Sequence, residues 1–296
     1  MNRVEFNKEL ERKIKSVESA LKEYMAPRFP EKLFEAMGYS LFAGGKRLRP
    51  VLLLSACEAV GGDEKDGLSF AAALEMIHTY SLIHDDLPAM DDDDFRRGSP
   101  TNHKVYGEAN AILAGDGLLT YAFETMLSSK GKSERILKAA RIIAEFSGSK
   151  GMLVGQFVDC ESEGKKIEPK LLNYIHSNKT AGLIKAALCA GAVMGGADED
   201  ITNGFLSIGE DLGIAFQIMD DILDVTSSTE VLGKPVLSDE KNEKATYVSL
   251  FGLEKSKTEY ENYFENINKG IDKLEEKNVN VAFLREYINI LKDRKK

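Results

Sequence analysis

The stretch "DGLSFAAALEMIHTYSLIHDDLPAMDDDDFRRG", residues 66 to 98, runs almost unbroken apolar for twenty positions and then places six aspartates within ten, followed at once by two arginines. An apolar run of that length with helical periodicity predicts a buried helix rather than a strand. It begins at Asp66 and should stop near Pro88, whose ring cannot continue a helix. His78 and Asp85 are seven residues apart, two turns along one face. Beyond Pro88 the chain bends, leaving Asp91 to reach back from a loop. Carboxylates this close repel and raise one another's pKa unless a cation lies among them.

The pattern has an echo. In "AFQIMDDILD", residues 215 to 224, Gln217, Asp220, Asp221 and Asp224 fall at i, i+3, i+4 and i+7 and share one helix face, with Gly213 one turn earlier. Such a stripe is not hydrophobic core. Two carboxylate clusters on two buried helices are expected to face each other across a cavity. Magnesium is the fitting cation, because it takes few carboxylates, keeps waters and completes its octahedron with substrate phosphate oxygens. A calcium-binding EF-hand fails: with Asp91 as first ligand, Arg96 stands where glycine belongs and Asn102 where the bidentate glutamate belongs.

The rest of the chain supports an all-α reading. Its 296 residues hold only seven prolines and are 43% hydrophobic, enough for a large core. A first helix breaks at "PRFPEK", and a second runs to the glycine pair that opens "GGKRLRP", residues 44 to 50. Pro50 suits the first turn of the next helix. Further helical patterns run over about 105–129, 133–146, 168–194 and 202–225, then a loop-rich stretch and a charged C-terminus. No linker divides the chain, so one domain over residues 1–296 is expected. The opening "MNRVEFNKELERK" has no apolar run of the signal-peptide kind, and no segment is apolar enough to span a bilayer. Cys57, Cys160 and Cys189 are scattered and odd in number, which argues against a disulfide framework or a zinc site and for a cytoplasmic location. A net charge of −9 argues against general nucleic-acid binding.

Anions must therefore be met by local cations. Lys46, Arg47 and Arg49 precede a helix start, where free N–H groups and the dipole already favour anions. It is not a phosphate-binding Walker loop, since position 40 is Ser and Lys46 is followed by Arg. Arg96 and Arg97 read either as anion ligands or as counterions for Asp91 to Asp94. Lys179 with Thr180 interrupts an apolar helix, and Lys234 sits in a Gly-Lys-Pro turn. Together these describe two anion sites, one bridged by metal and one bound directly; His78 could donate to either, or be a satisfied core histidine.

In order along the chain, "GGKRLRP", "HTYSLIHDDLPAMDDDDFRRG", "NKTAGL", "AFQIMDDILD" and "LGKPVLSDEKNEKATY" resemble the trans-isoprenyl diphosphate synthases, in particular the bacterial short-chain farnesyl type. Phe95 stands where that family often has Leu; no charged motif position departs. The resemblance implies a single-domain, isoprenoid-synthase-type helical bundle around a deep central cavity, usually a homodimer. It implies that Asp85, Asp86, Asp91, Asp220, Asp221 and Asp224 hold magnesium, three ions with substrate bound and manganese as an alternative. Arg96, Lys179, Thr180, Gln217 and Lys234 would contact the allylic diphosphate, and Gly45, Lys46, Arg49, His78 and Arg97 isopentenyl diphosphate. Catalysis would rest on Asp85, Asp86, Asp91, Lys179, Asp220 and Asp221. The implied reaction is head-to-tail condensation of isopentenyl diphosphate with dimethylallyl and then geranyl diphosphate, through an allylic cation.

Tyr80 lies five residues before Asp85, about 7.5 Å along the helix axis at 1.5 Å per residue. It would form a floor for the growing chain, or else pack elsewhere in the core, since five residues also turn it by about 140°. An aromatic at this position, with Ser81 beside it, resembles the farnesyl-producing type, and that resemblance implies a C15 product. Competing readings are a C20-producing synthase, a terpene cyclase, a head-to-head synthase and an inactive regulatory homologue. Both clusters are whole and a second basic motif is present, which disfavours the last three. The C-terminal "LKDRKK" reads as solvated or as a cover for the isopentenyl site.

Overall fold

The predicted apolar helix is the centre of the molecule. In the computed structural model, which describes residues 2–226 and 245–293, this helix (α4) covers Glu64–Asp85 and buries residues all round its barrel, from Phe70 to Ile83. It starts two residues before the sequence pattern suggested. Asp63 caps it by accepting from Lys65 N at 2.9 Å, and Asp66 reaches back to Asp63 N at 3.1 Å. Asp66, read from sequence as the first residue, is the third position of a capping box.

Before α4 come α1 (Arg3–Tyr24), α2 (Glu31–Leu41) and α3 (Leu48–Ala59). A two-stranded hairpin follows it, β1 (Phe95–Arg96) and β2 (Ser99–Pro100). Its two loop residues, Arg97 and Gly98, both have positive φ, 55° and 79°, the requirement of a type I′ turn. Then come α5 (Asn102–Tyr106), α6 (Glu108–Leu127), α7 (Ser133–Ser147), α8 (Met152–Ser162) and α9 (Pro169–Ile175). A π turn at His176–Thr180 leads into α10 (Ala181–Gly195), α11 (Glu199–Thr226), α12 (Tyr247–Phe251), α13 (Leu253–Glu276) and α14 (Ala282–Lys292).

Three of these depart from the sequence reading. The single helix expected over 105–129 is two, because Gly107 at φ 84° turns the chain between α5 and α6. The helix expected over 168–194 contains the π turn, whose wider hydrogen-bonded ring holds one extra residue. Helix α8 was not anticipated at all.

Helix α10 is buried along its whole length and packs on α3, α7 and α11. Helix α4 packs on α3 and α6, and α11 on α13. The buried residues form one continuous cluster from Phe6 to Leu291. Among the described residues the only strands are β1 and β2. Among the described residues no helix is long and apolar enough to cross a membrane.

Candidate active site

Where α4 ends, its last turn meets α8 and the π turn around a cavity of about 340 Å³. Seven residues singled out from sequence line it: Arg49, His78, Tyr80, Ser81, Asp85, Lys179 and Thr180. Members of both expected anion sites therefore share one chamber. Leu82, Met90, Met152 and Leu153 supply its apolar wall, with His84 and Gln156. Tyr80, only 7% exposed, contributes its ring to that wall, so five residues of separation from Asp85 still place both on the same space. Burial, aided by Asp85, pushes its hydroxyl pKa up.

The first aspartate cluster is split. Asp85 ends α4 and faces the cavity, and its carbonyl accepts from Asp91 N at 2.9 Å, folding the loop back as expected. Asp86 turns instead into an adjoining small crevice, where it is 3% exposed and bonded to Arg96 at 2.5 Å. Burial drives its pKa up to about 6 even though Arg96 opposes the shift. Arg96 also approaches Asp93 at 3.4 Å, and Lys104 pairs with Asp94 at 2.6 Å. The close partner of Arg96 is thus Asp86, and Asp93 is the nearer approach it makes to the Asp91–Asp94 run. The counterion reading does not hold for Arg97, which the type I′ turn throws the other way, onto the carbonyl of Gly44.

That contact explains Gly45. Its φ is 139°, and a Cβ there would lie 2.9–3.1 Å from the Arg97 guanidinium. The glycine leaves the flat face against which the arginine rests. Lys46 is exposed beside it. Arg47 turns inward, bridging Glu75 at 2.8 Å and Leu41 O at 3.0 Å, and is part of the core rather than of an anion site. Arg49 points at the cavity with its Nε buried and without a hydrogen-bond partner. Burial lowers its pKa to about 10, with Glu75 and Asp220 opposing, so it stays charged at neutral pH. An orphaned guanidinium N–H in a cavity is a ready place for an anion. His78 beside it is held well below 6.5 by burial and by the surrounding arginines, so the imidazole is neutral, with one N–H to donate.

The second cluster is tied to the π turn. Thr180 Oγ1 donates to Gln217 Oε1 at 2.8 Å, and Gln217 Nε2 donates to Asp221 Oδ1 at 3.0 Å. Tyr247 N donates to the other Asp221 oxygen at 2.7 Å. Asp221 and Asp224 are buried, and Asp220 is close enough to Arg49 to support its charge. Two glycines bring the helices together here. A Cβ on Gly155 of α8 would meet Lys179 N at 2.2 Å, and one on Gly213 of α11 would meet Ala181 Cα at 2.3 Å.

Asp159 was missed from sequence. Its carboxylate holds Lys179 Nζ at 2.5 Å. The signal lay in "MLVGQFVDC", where Gln156 and Asp159 are the polar residues of an otherwise apolar run and sit one turn apart. Lys234 lies outside the described residues.

The donors available to a cation are hard oxygens, the kind magnesium prefers. Among the described residues no three His, Cys, Asp or Glu side chains converge tightly enough to hold a metal by themselves. Oxygen donors of this kind suit an ion that takes one or two carboxylates and the rest of its shell from phosphate and water.

A family model described as polyprenyl synthetase matches residues 30–284, nearly the whole chain. The chain belongs to the polyprenyl synthetase family. As a polyprenyl synthetase it is 48% identical to the farnesyl diphosphate synthase of Geobacillus stearothermophilus, over 92% of this chain and 93% of that one. It is 48% identical to the chloroplastic geranylgeranyl pyrophosphate synthase 12 of Arabidopsis thaliana, over 86% of this chain and 72% of that one. The crystal structure of the geranyltransferase from Helicobacter pylori, complexed with magnesium and isoprenyl diphosphate, superposes with a TM-score of 0.83 at 34% identity, covering 95% of this chain and 94% of that one. The helical isoprenoid-synthase fold is thus shared by sequence and by shape.

Proposed function

We propose that this chain joins isopentenyl diphosphate head-to-tail to dimethylallyl and then geranyl diphosphate, releasing farnesyl diphosphate. The observation that carries the reading is the single cavity in which Asp85 and Lys179 face Arg49 and His78, with the Tyr80 ring in its wall. Asp85, Asp86 and Asp91 from one side and Asp220, Asp221 and Asp224 from the other would hold magnesium, three ions with substrate bound, with manganese as a substitute. Bound there, the metal supplies Lewis-acid neutralisation of the allylic diphosphate.

The chain's own residues do the rest. Lys179, Thr180, Gln217, Arg96 and, outside the described residues, Lys234 bind the allylic diphosphate and favour departure of the C–O electron pair onto it. Arg49, Arg97, Lys46 and the Gly45 turn hold isopentenyl diphosphate, and neutral His78 donates its one N–H. Buried Met152 and the Tyr80 ring in the cavity lining keep water from the allylic cation. The isopentenyl double bond attacks C1 of that cation, a new C–C bond forms, and a proton is lost to the departed diphosphate. No side-chain nucleophile is needed.

Tyr80 and Ser81, one turn above Asp85, would end elongation at fifteen carbons. Geranylgeranyl diphosphate is the second reading, favoured by equal identity to a relative of that name; the Tyr80 ring in the cavity argues for the shorter product. The working form is proposed to be a cytoplasmic homodimer of one synthase domain over residues 1–296. Exposed Ile112 and Leu113 on α6 and Leu153 and Phe157 on α8 support the dimer, and unpaired Cys57, Cys160 and Cys189 support a reducing compartment.

The test is incubation with isopentenyl and dimethylallyl diphosphates and magnesium, then chromatography of the dephosphorylated products. A C15 alcohol is expected, with turnover abolished by EDTA and restored by magnesium. Full turnover in EDTA, or a squalene-like or cyclic product, overturns the reading. Tyr80→Ala is expected to shift products to C20 or longer while catalysis persists.

A further inference from the structure

Tyr80 does not stand alone in the cavity wall. One turn further along α4, His84 packs edge-on against it, ring centroids 5.7 Å apart and planes at 76°. The far side of the imidazole lies in a notch of α6. A Cβ built on Gly115 would be 2.1 Å from His84 Nε2 and 2.5 Å from Cδ2, so only glycine leaves the ring its seat. Within that notch Nε2 is 3.1 Å from Ile112 O. A carbonyl only accepts, so Nε2 carries the proton and donates it, and the ring is pinned at one edge by α6 while the other meets Tyr80.

The consequence is steric. A tyrosine ring anchored only at its Cβ has a choice of χ1 wells, and a growing prenyl chain pressing on it would push it toward the next. The imidazole, lodged between the Tyr80 ring and Gly115 of α6, occupies the space that a swing of the ring toward α6 would need. We propose that His84, seated on Gly115, is a positioning residue that sets product length by holding the Tyr80 ring across the cavity. The inference rests on the reading of Tyr80 as the stop.

The test compares His84→Ala, Gly115→Ala, Tyr80→Ala and the doubles His84→Ala/Tyr80→Ala and His84→Ala/Gly115→Ala. Each is given geranyl and isopentenyl diphosphates, and the C20:C15 ratio is read per turnover, so a loss of rate does not obscure it. An edge-to-face contact of this kind corresponds to a change of roughly 2- to 10-fold in that ratio. His84→Ala is expected to raise the ratio by that factor and Tyr80→Ala by more. Their double is expected to match Tyr80→Ala alone within about twofold, since His84 acts only through the tyrosine. Gly115→Ala is expected to raise the ratio by displacing the imidazole, and to add nothing once His84 is alanine. Should His84→Ala misfold, Gly115→Ala with its histidine intact carries the same comparison. A wild-type ratio in both His84→Ala and Gly115→Ala, or effects of His84 and Tyr80 that multiply, overturns the inference. If Tyr80→Ala itself leaves the ratio unchanged, the stop reading falls and the inference with it.

Discussion

The two aspartate clusters look alike on paper and are built by different means. Asp220, Asp221 and Asp224 ride on a helix that continues through them, so their spacing is that of the helix itself, and Asp221 is aimed by donors from Gln217 and Tyr247 N. Asp85 and Asp86 lie where a helix gives out. Adjacent residues there diverge, one into the cavity and one into the crevice of Arg96, and the loop is closed by Asp91 N on Asp85 O. A cluster on a continuous helix needs help with direction only. A cluster at a helix end also needs a counter-charge to hold its shape.

The sharpest way to break that contrast is to remove one support from each. Asp221→Asn is expected to lower kcat by roughly 10²- to 10³-fold, the usual loss on deleting one stabilising group at a developing charge, with the melting temperature little changed because the amide oxygen still accepts from Tyr247 N. Arg96→Ala is expected to lower both, because Asp86 is left buried without its guanidinium partner. If calorimetry and initial rates show the two variants falling alike, the clusters are equivalent and the distinction is wrong.

A smaller effect separates the anion ligands. Arg49→Ala is expected to raise KM for isopentenyl diphosphate about ten- to a hundredfold, the value of one charged hydrogen bond of about 1.5–3 kcal/mol, and to leave KM for the geranyl substrate nearly unchanged. Equal increases in both constants would merge the two sites into one.

The smallest expected effect sharpens the α11 side. His176 stacks on Tyr247, ring centroids 5.6 Å apart, and burial depresses its pKa from 6.5 to about 4. Between those values the unfolded chain binds a proton that the folded chain refuses. Stability from this group is therefore full above about pH 6.5 and lost as the pH falls toward about 4. From about pH 7 to about pH 5.5 the loss is about 1 kcal/mol. Urea titrations at the two pH values should show His176→Gln losing that much less than the parent; equal losses would mean that the stack imposes no such constraint.

Much of this was legible in the chain alone because it is local. The apolar run before Asp85, the i, i+3, i+4, i+7 stripe of α11 and the all-helical class follow from periodicity. What escaped reading depends on contacts between distant segments. Asp85 and Asp86 are one residue apart, and only Arg96, reaching in from the hairpin, shows which of them leaves the cavity. Arg47 and Arg49 read as equals until Glu75 on α4 claims the first. Helix α8 is short and nearly featureless, and its Asp159 acquires meaning only against Lys179 on the π turn. Gly115 is one small residue among many in "NAILAGDGLL" until His84 fills the space above it.

The π turn works as a phase shifter. An α-helix advances about 100° per residue, so the one extra residue held in His176–Thr180 starts α10 roughly that far out of step with α9. The inward stripe of α9, Leu172 and Ile175, and the fully enclosed barrel of α10 therefore keep separate counts, and Lys179 stands at the join. Its backbone is seated against Gly155, that of Ala181 against Gly213, and its ammonium is held by Asp159. Deleting one residue from the turn would bring the two counts back into step and swing the lysine off Asp159, whereas changes to the apolar side chains on either flank would leave its bearing where it is.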